Sequence, residues 1–121
     1  MIRGIRGATT IEKDEPQLIW DTTANLCLEM AKQNNLHPED IVSITISATT
    51  DIRSAFPAKS VRSMVGWQYV PIMCMHEMDV PGGLPLCIRV LMHVNIDVGQ
   101  ADIKHVYLNE AVKLRPDLVK E

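Results

Sequence analysis

The stretch LCIRVLMHVN, Leu86 to Asn95, alternates so regularly that it dictates a strand and the two faces of the sheet around it. Leu86, Ile88, Val90, Met92 and Val94 form an apolar row at period two. Cys87, Arg89, Leu91 and His93 form the opposite row, which places Arg89 in mid-strand. A guanidinium cannot shed its charge near neutral pH, so on a face even partly covered it needs an anion. Two sources are open: Glu77 in the preceding segment, as an internal ion pair, or a bound ligand. The whole segment Gly66 to Asn95 reads as strand, glycine turn, strand, and the rest of the chain is organised around it.

Composition narrows what surrounds that segment. A chain of 121 residues, 46% hydrophobic and 22% charged with net charge −3, is one globular domain spanning residues 1–121. It contains no basic run or aromatic-studded patch, so nucleic acid is not an expected partner. Its apolar stretches are interrupted too often to cross a membrane, and MIRGIRGATT has no signal-peptide core. Cys27, Cys74 and Cys87 are odd in number and lack CxxC spacing, which predicts neither a disulfide framework nor a zinc site. A reducing cytoplasm is the expected location.

Taken in order, Met1 to Ile11 reads as a first strand whose Gly4 and Gly7 mark a close approach by another group. Asp14 to Asn35 reads as a helix capped by Asp14, with Pro16 in its first turn and Ile19, Leu26 and Met30 on one stripe. Ile41 to Thr49 is a second strand with Val42, Ile44, Ile46 and Ala48 inward and Ser43, Thr45 and Ser47 outward. PAKSVRSMVG predicts a short helix burying Ala58, Val61 and Val65 and stopped by Gly66; Lys59, Arg62 and Ser63 share its other face. Tyr69 to Met75 is a third strand and Met78 to Leu84 a glycine loop, while HVYLNEAVKLRPDL is a fifth strand or edge segment. The tail from Asp117, residues 117–121, is expected to be loose. The result is an α+β chain with about five strands and two helices.

The chemistry is bounded first by what is missing. There is no GxGxxG, no GxxxxGK[ST], no GxSxG and no HExxH. Cys74, His76 and Glu77 are close in sequence, but Glu77 points away from the other two, so no metal is expected there. Cys74 in an apolar strand reads as packing, with no base beside it. The positive inventory is Arg6, Arg62, Arg89 and Arg115, with Glu77 and Tyr107, a set suited to a small dianion. Three readings use it: an enzyme acting on an acidic metabolite, a carboxylate sensor, or a non-catalytic assembly module with Arg89 and Glu77 paired inside it.

Four blocks in order, RGIRGATT, SAFPAKSVR, GWQYVPIMCMHEMDVPGGLPLCIRV and HVYLNEAVKLRPDL, resemble the monofunctional AroH-class chorismate mutases over nearly the whole chain. The resemblance implies conversion of chorismate to prephenate by a pericyclic Claisen rearrangement, on the route to phenylalanine and tyrosine, with no cofactor. It also implies a ferredoxin-like α+β fold in a homotrimer with a pseudo-α/β-barrel core and sites between subunits. By position it implies Arg89 and Glu77 as catalytic residues. Substrate binding would fall to Arg6, Tyr107, Cys74, Met73, Ile72, Phe56, Ala58, Lys59, Arg62, Leu114 and Arg115. Two positions depart from the family pattern: Met73 stands where a threonine is expected and His76 where a glutamine is. The first implies a retuned pocket.

Overall fold

The computed structural model describes residues 1–114. In chain order the elements are β1 (Ile2–Thr10), α1 (Pro16–Gln33), β2 (Ile41–Ala48), α2 (Ala58–Arg62), β3 (Ile72–His76), β4 (Cys87–Asn95) and β5 (Val106–Tyr107). Short 3₁₀ turns occupy Pro38–Asp40, Gln100–Asp102 and Asn109–Lys113. The strands form one sheet in the order β3-β2-β4-β1-β5. The central β4 is antiparallel to β1 and β2, while β3 runs parallel to β2 and β5 parallel to β1 at the edges. With β4 inserted between its strands, β1–α1–β2 is a split βαβ unit, the element a ferredoxin-like layout shares. The architecture is α+β, a mixed five-stranded sheet with two helices.

Alternation decides which face the helices cover. Ile88, Val90, Met92 and Val94 of β4, Ile5 of β1, and Ile44, Ile46 and Ala48 of β2 are all buried in one core with α1. The helix contributes Ile19, Leu26, Cys27, Met30 and Ala31 at spacings of three, four and seven. Full burial of each large side chain among these stabilises the fold by about 1.5–3 kcal/mol. Gly7 lets α1 come this close: a Cβ there would lie 2.3 Å from Met30 Sδ and 3.1 Å from Leu26 Cδ1. The helix stops where Asn35 turns to φ 53, with Leu36 N–H returning to Ala31 O at 2.9 Å.

Several expectations are corrected. Val42 is not inward: a bulge between Ile41 and Ser43 leaves it exposed while Ile41 takes the buried place. Val65 is 99% exposed rather than buried, because α2 ends at Arg62 and the chain then turns. The third strand starts at Ile72, not Tyr69, whose side chain lies in that turn and faces solvent. Asp14 does not cap α1; Glu15 holds the N-cap position without a side-chain bond. Asp14 instead accepts from Arg53 N–H, Ser54 N–H (both 3.1 Å) and the Ser54 hydroxyl (2.9 Å), tying the start of α1 to the loop before α2. Arg115 and the expected loose tail at 117–121 lie outside the described residues.

Candidate active site

The second row of β4 faces away from the helices. In the ladder Arg89 stands opposite Ala8 of β1 and Ser47 of β2, two small residues that leave a guanidinium room. Glu77 follows the last residue of β3 and donates its N–H to Ala48 O at 3.0 Å, which holds it against the sheet. Its carboxylate lies 3.1 Å from Arg89 Nε (Oε1 to Nε). This is ion-pair distance without hydrogen-bond alignment, and Glu77 Oε1 is buried with no hydrogen-bond partner. The carboxylate side chain is 20% exposed and the arginine 46%, so Arg89 is balanced by Glu77 yet still open to the cavity beside it. Next to it, burial pushes the Cys87 thiol up to about 11 against the opposing pull of Arg89, so it stays protonated.

That cavity, about 570 Å³, is lined by Arg6 and Ala8 of β1, Thr45 and Ser47 of β2, Arg89 and Leu91 of β4, Tyr107 of β5 and Leu114. Register explains the convergence. Arg6 pairs with Leu91, and Ala8 pairs with both Arg89 and Tyr107, so Arg6, Arg89 and Tyr107 share the helix-free face. Leu114 arrives through the Asn109–Lys113 turn. Asn109 Nδ2 anchors that turn to Thr9 Oγ1 (3.1 Å) and Thr10 O (3.2 Å), and Glu110 N–H donates to Thr10 Oγ1 (3.2 Å). A second hollow of about 540 Å³ adjoins Arg89 and Glu77 beneath the loop of residues 78–85.

The other candidates gather elsewhere, at the β3 edge and α2. Phe56 and Cys74 line a separate hollow of about 410 Å³, with Ile46, Ile52 and His76. Burial raises the Cys74 thiol, with a backbone hydrogen bond from Ala58 and the charge of Arg62 working against it, so Ala58 and Arg62 belong to this group. A raised thiol makes Cys74 a poor nucleophile. Lys59 sits with Nζ 4.4 Å above the Trp20 ring. Ile72 is half-buried on the covered face, whereas Met73 is 67% exposed on the helix-free face, in line with Thr45. Cys74, His76 and Glu77 do not converge: His76 Nε2 lies 3.0 Å from Ile52 O, and Glu77 turns to Arg89. Among the described residues no cluster of three or more His, Cys, Asp or Glu could hold a metal ion.

One chain thus brings Arg6, Glu77, Arg89, Tyr107 and Leu114 together, and places Phe56, Ala58, Arg62 and Cys74 apart from them. Thr45, Ser47 and Leu91 line the first cavity without having been candidates. Their outward parity was readable, but the β2–β4–β1 pairing that sets them beside Arg89 was not.

The family described as chorismate mutase type I matches residues 2–118. A chorismate mutase of Bacillus subtilis (strain 168) is 55% identical over 118 residues, spanning 98% of this chain and 93% of that protein. One from Thermus thermophilus is 45% identical over 119 residues, 98% of this chain and 97% of the other. The solved structure of a chorismate mutase from Clostridium thermocellum superposes with a TM-score of 0.86 at 50% identity, over 89% of this chain and 96% of that one. The chain belongs to the chorismate mutase type I family.

Proposed function

We propose that this chain isomerises chorismate to prephenate by a pericyclic rearrangement, as a single catalytic domain serving aromatic amino acid synthesis in the cytoplasm. The observation that carries the reading is the Arg6–Arg89–Tyr107 cavity beside Glu77, whose buried Oε1 has no donor. Chorismate is a dianion. In its chair-like transition state the ether C–O bond breaks as a C–C bond forms, which requires no acid, base or covalent step. What an enzyme supplies is a compact conformer and charges aimed at those that develop. Arg89 meets the ether oxygen, where negative charge grows. The Glu77 carboxylate accepts from the ring hydroxyl and complements the electron-poor ring. Arg6 and Tyr107 bind carboxylate, and Leu114 walls the cavity.

The remaining contacts come from a neighbouring subunit in a homotrimer. Phe56 and Ala58 complete the wall, Ile72, Met73 and Cys74 border the substrate, and Lys59, Arg62 and Arg115 form a cationic rim. Two features support sharing. The two groups occupy different cavities of one chain, and the helix-free face leaves Ile2, Met73, Met75 and Leu91 exposed, as a pseudo-barrel core between subunits requires. Among the described residues no helix is long and apolar enough to cross a membrane. Mixing tests the shared site: Arg89→Ala and Arg62→Glu chains, each impaired alone, regain turnover when refolded together. No regain would place a whole site within each chain. Prephenate formation by the purified chain tests the reaction itself.

A further inference from the structure

Arg6 and Tyr107 face one cavity only while β5 keeps its register on β1, and β5 is too short to ensure this alone. Its ladder is Gly7↔Val106 and Ala8↔Tyr107, extended by Leu108 N–H to Ala8 O at 2.9 Å. Side chains hold the segment from the other end. Asn34, just past α1, clips the Lys104 main chain, accepting from its N–H at 2.9 Å and donating to its carbonyl at 2.8 Å. At the next residue the Arg6 N–H donates to His105 Nδ1 at 2.9 Å. A backbone N–H can only donate, so Nδ1 carries no proton here and in the neutral ring the proton sits on Nε2. An imidazole therefore does what a main-chain carbonyl does in a longer ladder. One end of the bond is the peptide nitrogen of Arg6, and the other lies two residues before Tyr107.

We infer that His105 is a positioning residue: its Nδ1 acceptor fixes the Arg6 main chain and the register of Tyr107, so that both meet the same substrate carboxylate. The inference rests on the substrate proposed above. Packing alone would ask only for a ring-sized side chain, whereas this role asks for an acceptor on the γ-carbon. His105→Asn keeps one, because Oδ1 sits where Nδ1 does; His105→Leu does not.

The test pairs steady-state kinetics on chorismate with amide hydrogen exchange at Arg6 in the unliganded protein. His105→Leu raises KM by about five- to tenfold, the scale of one net hydrogen bond, with a smaller change in kcat. It also speeds exchange of the Arg6 amide. His105→Asn restores both. Unchanged KM and exchange in the leucine variant overturn the inference, and so does an asparagine variant as impaired as the leucine one. If the wild-type protein fails to turn over chorismate, the proposed activity falls. The exchange measurement still decides the positioning role, which stands if protection is lost with leucine and regained with asparagine.

Discussion

Removing Arg89 should cost stability and catalysis by separable routes. Its Nε lies 3.1 Å from Glu77 Oε1, where two unit charges at an effective dielectric of 20 attract by roughly 5 kcal/mol before desolvation. Because the arginine side chain is 46% exposed, solvent screening reduces the net worth of the pair to about 1 kcal/mol. Arg89→Ala does more than delete the pair: Glu77 Oε1 already lacks a hydrogen-bond donor, and its mostly buried carboxylate then also loses its counter-charge. Leaving a mostly buried carboxylate charged and unpaired costs about 1–3 kcal/mol, so Tm should fall by roughly 5–10 °C. Adding Glu77→Gln removes the stranded charge and should return most of that Tm. Turnover should not return: loss of a donor at the developing oxyanion lowers kcat by about 10²–10³. Arg89→Lys should keep the ion pair and Tm but stay more than about tenfold slow, since a point charge lacks the planar fork. Thermal melts with single-turnover rates on all three proteins decide it. The reasoning is refuted if Arg89→Ala keeps kcat within tenfold, or if the double variant recovers activity along with stability.

Three further outcomes follow from the geometry. Gly7→Ala should destabilise the protein by about 1–3 kcal/mol, because its Cβ would drive into the buried Met30 thioether; a denaturant midpoint equal to wild type would contradict the packing. Partial desolvation pushes Asp14 up, but hydrogen bonds from the Ser54 hydroxyl, Ser54 N–H and Arg53 N–H, with the Arg53 charge, hold its carboxyl below the ordinary 3.8. A depressed carboxylate stabilises the fold above that ordinary value and loses the contribution as pH falls through its lower folded value. The Tm gap between wild type and Asp14→Asn should therefore be constant near neutrality and close in acid; a gap that widens on acidification reverses the sign. Burial pushes Cys27 up to about 12 and Cys87 to about 11, so at mildly alkaline pH both should resist a thiol reagent until the chain unfolds. Rapid labelling of all three cysteines in the native protein would contradict the burial.

The readable parts of the sequence were those where one period runs long enough to state its own face. β4, β1 and α1 emerged from alternation or helical stripes, with no end misplaced by more than two residues. Failures came where a partner decides. Val42 matched the period-two pattern of β2, and only the bulge against β4 turns it outward. Val65 matched the stripe of α2, but the helix ends at Arg62. Asp14 looked like a cap, yet its acceptors are used by a loop some forty residues later. For the site, parity placed Arg89 on the minor face, and the Glu77 pairing stood open as one of two anion sources; the ion pair settles that the protein supplies one. The gathering of Arg6 and Tyr107 beside Arg89 follows from the β4–β1–β5 order, a long-range property no local pattern encodes. The individual roles proposed for Arg6, Tyr107 and Leu114 rest on the family resemblance; the residues alone suggested no more than a set suited to a small dianion.

The most direct test of the account is the loss of chorismate absorbance with purified protein in EDTA, run beside Arg89→Ala. The account predicts fast, EDTA-resistant conversion to prephenate that falls by at least about 10² in the variant. A folded protein that leaves chorismate unchanged, or a variant that matches wild type, would contradict it.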